Sequence, residues 1–187
     1  NGICDSCVYG RLAGKTMGAY LKGSNLTIKE TARGYVEDLV SRLIKPLNCA
    51  NGENPFELKK KIQELNWTKV GVGRKEPDLS IALDEIEEIA EQMEQVSVKG
   101  GIAYNMMYGA FLDIRSMIDA TRMVAYSARL REETRGAHFR QDFPEQRDDY
   151  GLFNIFLRCG DDGRPIAKKE AVAFTYKSVE ECQKYKK

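Results

Sequence analysis

DLSIALDEIEEIAEQMEQV, residues 78–96, carries the clearest structural signal in the chain. Leu79, Ala82, Leu83, Ile86, Ile89, Ala90, Met93 and Val96 return at the three-to-four-residue spacing of one helix face, and the opposite face is glutamate and aspartate. An acidic face of this kind is a solvated one. The apolar face needs partners, so the flanking sequence should supply further helices.

Upstream it does. Asn54 can cap a helix, Pro55 suits its first turn and Glu57 completes an N-x-x-E capping box, with Leu58, Ile62 and Leu65 inward and an end near Lys69. Val70 to Arg74, with Gly71 and Gly73, reads as a connector. Further back, Ile28 to Ile44 is expected to be helical, with Ala32, Val36, Leu39, Val40 and Leu43 on one side and Lys45-Pro46 marking the end. A polar link, Lys22 to Thr27, separates it from a first helix, Ile3 to about Leu21. Along that helix Gly10, Gly14 and Gly18 recur every fourth residue, each at a cost of about 1 kcal/mol relative to alanine. Three in register imply that another backbone or a bulky group lies close, inside this chain or outside it.

Downstream of Gly100-Gly101 a long helix is expected over Ala103 to Glu132, with Met107, Ala110, Ile114, Met117, Thr121, Val124 and Ala128 as its stripe. Methionines at this spacing fill core gaps. The period then changes to two: Leu152 to Cys159 and Ala171 to Tyr176 read as strands, with Gly160-Asp-Asp-Gly163 as turn chemistry. The expected fold is mainly α, an antiparallel bundle of three or four helices with a small C-terminal β appendage.

Composition narrows the function. The 187 residues are 42% hydrophobic and 30% charged with formal net charge +1, and basic and acidic residues are interspersed, so there is no nucleic-acid footprint. The longest weakly polar stretch, Gly100 to Phe111, is too short to span a bilayer, and no direct membrane insertion is expected. The chain opens at Asn1 without an initiator methionine or a signal-like segment, and reads as a piece of something longer.

Five cysteines, at 4, 7, 49, 159 and 182, are odd in number and irregularly spaced, which fits a reducing cytoplasm. Cys4 and Cys7 form a C-x-x-C pair, half of a zinc site or a redox dithiol in some proteins; with no second pair and no strand before it, it reads as two small residues on a helix. His138 is the lone histidine, and no G-x-S-x-G, H-E-x-x-H or G-x-x-x-x-G-K motif occurs. No catalytic and no metal-binding residue is assigned.

One segment stands apart. TRGAHFRQDFPEQRDD, residues 134–149, holds three arginines, four carboxylates and the histidine in sixteen positions. Gly136 is placed to end the long helix and Pro144 to stiffen the exit. Arg135, Arg140 and Arg147 alternate with Asp142, Glu145, Asp148 and Asp149 closely enough to pair. Exposed pairs are individually worth ~0–1 kcal/mol, so a structural or docking role is expected in place of direct catalysis.

The opening NGICDSCVYGRLAG, the middle LNWTKVGVGRKEPDL and above all the order R-G-A-H-x-R-x-D-F-P-x-x-R-D-D resemble the C-terminal part of the flavoprotein subunit of the succinate dehydrogenase and fumarate reductase family, which includes L-aspartate oxidase and adenylylsulfate reductase. The likeness spans Asn1 to about Asp149, and one residue, Gln146, lengthens the usual D-F-P-x-R-D-D. It implies a spectrin-repeat-like bundle in an FAD enzyme that moves a hydride between flavin and a dicarboxylate, succinate or fumarate first. It implies that Asn1, Gly2 and Ile3 lie against the flavin at the start of a helix. Residues 1–27 would then be the last segment of an FAD-binding domain, 28–134 the bundle, and 135–187 the charged loop and β appendage. The dinucleotide-binding glycines, the capping domain and the substrate-binding residues would precede Asn1, so that His138 is not the substrate histidine and the fragment is inactive alone and does not retain FAD. The implied partners are the N-terminal FAD-binding and capping domains and an iron–sulfur subunit, which would hold the protein at the cytoplasmic face of a membrane. The competing reading is a self-contained helical interaction module with no redox role.

Overall fold

The computed structural model of the protein describes residues 2–24, 31–148, 152–161 and 163–184. These fall into two compact units, residues 1–44 and 45–187. The first unit consists of α1 (Gly2–Lys22) and α2 (Thr31–Ile44). No residue of α1 is buried, and Val36 and Val40 of α2 are exposed while Leu39 and Leu43 are half-buried. Asn1, the expected start of α2 at Ile28 and the Ala32 side chain lie outside the described residues. A Cβ built on Gly10, Gly14 or Gly18 meets nothing within 4 Å, so whatever those glycines accommodate is not among the described residues.

The second unit carries the core. Helices α3 (Pro55–Leu65), α4 (Glu76–Met93) and α5 (Met106–Leu130) pack pairwise as an antiparallel bundle. Leu58, Ile62 and Leu65 of α3 and Leu79, Ala82, Ile86 and Ile89 of α4 are buried, which is the periodicity read from the sequence. Each large side chain of this set contributes roughly 1.5–3 kcal/mol by leaving water.

The helix ends correct several expectations. Asn54 does cap α3, its side chain accepting from the Phe56 N–H at 3.0 Å, but Glu57 returns no bond and the capping box is not formed. After Leu65 the helix widens into a π-turn, Asn66–Val70. Helix α4 starts at Glu76, two residues early, and stops at Met93; Val96 and Val98 are buried from an extended segment whose backbone bonds to Glu53 and Pro46. Helix α5 starts at Met106, not Ala103, because Tyr104 takes a left-handed φ of 55° and Asn105 caps, accepting from the N–H groups of Met107 and Tyr108. It ends at Leu130, so Gly136 does not terminate it; at φ 58° Gly136 instead turns the loop beyond.

The buried face of α5 is also rotated from the expected stripe. Tyr108, Phe111, Ile118 and Ala125 join Ala110, Ile114, Thr121 and Ala128 in the core, while Met107 and Met117 are half-buried and Val124 is exposed. Helix α5 packs mainly on α3 and α4, and it also touches a hairpin of β3 (Phe153–Cys159) and β4 (Pro165–Ala171). The turn lies where the glycines predict, with Gly163 at φ 77°. The second strand is Pro165–Ala171, not Ala171 to Tyr176. A tight hairpin must pair back at once, and Phe153 opposite Ala171 ends the register. Two short elements have no counterpart in the sequence reading: a parallel pair of β1 (Gly73–Arg74) with β2 (Phe139–Arg140), and α6 (Val179–Gln183), whose Ser178 and Glu181 form a capping box.

Candidate functional site

The charged segment is built around two buried ions. Arg140 is fully buried and turns its donors to two helix ends. Its Nη1 donates to the carbonyls of Ala128, Arg129 and Arg131 at 2.7, 3.1 and 3.1 Å, which are the orphan acceptors at the C-terminus of α5. Its Nε and Nη2 grip Asp142 at 2.8 and 2.9 Å, and its guanidinium carbon lies 4.8 Å from the centre of the Phe143 ring. The same Asp142 accepts from the Glu76 backbone N–H at 2.7 Å and so caps α4, whose own N-cap residue, Lys75, supplies no side-chain bond. One ion pair therefore joins the negative end of α5 to the positive end of α4, the arrangement that helix dipoles favour. Arg129 and Glu76 add a second link at 3.0 Å.

Glu133 is the other buried ion, and it lies one residue before the segment that the sequence singles out. It accepts from Arg131 at 2.7 Å, from Arg135 at 2.9 and 3.0 Å, and from the Arg147 backbone N–H at 2.9 Å. Arg135 also reaches Asp148 at 3.0 Å. Arg131 continues outward: it donates to the Phe153 carbonyl at 2.6 Å and stacks 4.3 Å from that ring, fastening the hairpin to the end of α5. Thr134 Oγ1 accepts from the Arg140 N–H and donates to the Phe143 carbonyl, both at 3.0 Å, closing the loop on itself. The expected pairing thus holds for Arg140 with Asp142 and Arg135 with Asp148. Glu145 contributes its backbone carbonyl, to the Thr134 N–H, and Asp149 lies outside the described residues.

His138 is half-buried. Its Nδ1 lies 2.9 Å from Arg74 Nη1 and its Nε2 3.4 Å from the Arg131 carbonyl. Arginine can only donate, so Nδ1 is bare and the proton is on Nε2. Burial lowers its pKa, and the charges of Arg74, Arg140 and Arg131 add to that against the bond to Arg131. Glu133 is pushed up by burial, but the bonds from Arg135, the Arg147 backbone and Arg131 prevail and bring it to about 2. Asp142 is brought to about 2, first by Arg140, against burial.

These shifts set an acid limit. A folded His138 that refuses a proton makes stability fall as pH drops below its ordinary 6.5, where the unfolded chain protonates first. The two carboxylates contribute fully above their ordinary 4.5 and 3.8, and lose that contribution as pH falls toward about 2. Denaturant titrations of the full-length protein should show a shallow decline below neutral and a steep one under the ordinary carboxylate values, the steep part reduced in Glu133→Gln. A curve unchanged by that substitution would contradict the assignment.

Of the other residues singled out in the sequence, Gly2 and Ile3 open α1, with Ile3 83% exposed. Cys4 and Cys7 are exposed free thiols on the same helix. No group of metal-ligating side chains occurs among the described residues, and no described helix is long and apolar enough to cross a membrane.

A three-helix bundle in which a buried ionic clasp joins the end of α5 to the start of α4 defines a packing domain with a charged seam. The model of the family described as fumarate reductase flavoprotein C-term matches residues 59–184, and the chain belongs to that family. It is 28% identical over 151 residues to an uncharacterised FAD-dependent oxidoreductase of Methanocaldococcus jannaschii, covering 80% of this chain and 26% of that protein. It is 28% identical over 152 residues to a subunit of the CoM/CoB fumarate reductase of Methanothermobacter marburgensis, covering 80% of this chain and 27% of that protein. Its fold superposes on the apo Sdh1 complex of Mycobacterium smegmatis with a TM-score of 0.82 and 27% identity, over 96% of this chain and 32% of that one. The chain thus spans between a quarter and a third of the length of these relatives.

Proposed function

We propose that this chain is the C-terminal part of an FAD-dependent flavoprotein subunit that oxidises or reduces a dicarboxylate of the succinate and fumarate type. The observation that carries the reading is the family match over residues 59–184 together with relatives named as FAD-dependent oxidoreductase and fumarate reductase subunit. When bound, the flavin supplies hydride transfer. The domain's own part is threefold: to pack the bundle, to present a helix end to the flavin, and to dock the FAD-binding and capping domains and an iron–sulfur subunit. Its partners would hold it at the cytoplasmic face of a membrane, and the fragment alone would neither retain FAD nor turn over.

Asn1, Gly2 and Ile3 are the residues assigned to the flavin edge. The described part of this end fits such a group: α1 starts at Gly2, and a Cβ there would meet nothing within 4 Å, so the first turn is open to a large planar neighbour. Unpaired N–H groups at a helix start favour negative charge, which is where reduced flavin gains it. Gly2→Val in the full-length protein should lower the flavin midpoint potential by roughly 10–20 mV, the two-electron equivalent of ~0.5–1 kcal/mol of helix-end stabilisation, or deplete bound FAD. Unchanged potential and occupancy would remove residues 1–3 from the site.

A further inference from the structure

Arg74 stands beside the clasp without a carboxylate partner among the described residues. Arg74 is half-buried, and burial lowers its pKa. Its Nε donates to the Val70 carbonyl at 2.9 Å and its Nη1 to His138 at 2.9 Å, and no carboxylate among the described residues pairs with it. Two of five donors are used. The three that remain include at least one on each terminal nitrogen, the pair that grips a carboxylate, sulfate or phosphate by two parallel bonds.

Arg74 faces a cleft of about 440 Å³ between α5 and β3. Arg131 and His138 share its rim, Ser127 lies on the α5 wall with no hydrogen bond from its hydroxyl among the described residues, and Val124 and Ile155 make the apolar side. None of the lining residues is acidic. Arg131 is committed to Glu133, so Arg74 is the cation with coordination left to offer. A half-buried guanidinium, a hydroxyl and an apolar wall around a cleft of this size are the elements of a small-ligand site.

We propose that the Arg74–His138 cleft binds a small free anion, held end-on by the two terminal nitrogens of Arg74 and by the Ser127 hydroxyl. The site is separate from residues 1–3 and does not depend on the reading given to them. His138 ties it to proton uptake. An anion beside the ring favours the imidazolium, and protonation of Nδ1 breaks the bond to Arg74, freeing another donor for the ligand. Arg131 from the end of α5, Arg140 from β2 and Arg74 from β1 are the charges that face the ring, and all three oppose that protonation until the anion arrives.

The test uses the full-length protein with millimolar sulfate at constant ionic strength, chloride replacing sulfate in the control, and hydrogen exchange read by mass spectrometry. Sulfate should slow exchange in peptides covering residues 70–75 and 123–140. Arg74→Gln should weaken the effect roughly tenfold or more, as loss of a charge-assisted bidentate contact implies, and Arg74→Lys should restore it only in part. Ser127→Ala, an exchange compatible with the α5 helix, should weaken it severalfold. Wild-type protein with no sulfate-dependent protection in those peptides, or with protection that both Arg74 variants retain, overturns the proposal even if one variant folds poorly.

Discussion

Replacing Arg140 with methionine should cost the protein about 3–5 kcal/mol, the loss expected when one partner of a buried ion pair is removed. The geometry of the site explains the size. The variant leaves the Ala128 and Arg129 carbonyls at the end of α5 without the Arg140 donor and the Arg131 carbonyl with only its long contact to His138, at roughly 1–3 kcal/mol for a buried unsatisfied group before relaxation, and it releases Asp142 from its bidentate partner. Asp142 would still cap α4, so the damage should concentrate at the α5 end and in the loop. Arg140→Lys should recover only part of the loss, because an ammonium cannot serve three carbonyls and a carboxylate in one plane. Equilibrium urea unfolding measures it. Adding Asp142→Asn to Arg140→Met should cost much less than the two single changes summed, since each removes the same contact. Strict additivity, or a loss under about 1 kcal/mol, the upper end for an exposed pair, would mean that the pair is not what joins the helices.

Glu133→Gln should be the second largest, at about 2–3 kcal/mol. The amide keeps the shape and one acceptor but gives up the charge that two arginines and a backbone N–H share. Arg131 and Arg135 are part-exposed and can turn to water, which holds the cost below that of Arg140. The local signature is more telling than the total. Arg131 loses its anchor while still holding Phe153, so amide exchange in β3 should rise well above that in α3 and α4. Uniform loosening of all three would point to a general core defect instead.

Both effects come from burial, and burial is what the sequence displays least. The three-helix core is legible because α3 and α4 each have a single apolar face, and Leu58, Ile62, Leu79, Ala82 and Ile86 are fully buried as their spacing requires. Helix α5 is harder to read because α3, α4 and the hairpin all pack on it. A stripe through Met107, Met117 and Val124 and the true core face through Phe111, Ile118 and Ala125 have the same period, so periodicity alone does not decide between them. The second strand departs from its expected place for a related reason: Ala171 to Tyr176 has the stronger β propensity, but the turn geometry starts the strand at Pro165.

The clasp is recognisable in the sequence as a cluster and not as a mechanism. Three arginines alternating with acids suggest surface pairing, whereas Arg140 and Glu133 are fully buried. No local pattern tells Arg140 to reach twelve residues back to Ala128, or Asp142 to cap a helix that starts 66 residues earlier. The missing N-cap on α4 is the available hint. Lys75 before Glu76-Pro77 is a poor cap, and a helix start without one must find its acceptor elsewhere. The place of Glu133 between Arg131 and Arg135 is a weaker hint of the same kind, and the S-x-x-E signature at Ser178 marks α6.

If the arginine clasp holds the domain together while the chemistry lies with the flavin elsewhere in the longer protein, stability and catalysis should separate in one variant. The decisive measurement is turnover per bound flavin in full-length Arg140→Lys, with succinate and with fumarate, under conditions where the variant remains folded. Turnover should stay within about twofold of wild type, below the ~1.4 kcal/mol that a tenfold change in rate would require, alongside a clear loss of stability. Wild-type stability with turnover per flavin reduced tenfold or more would refute that separation and move Arg140 into the reaction.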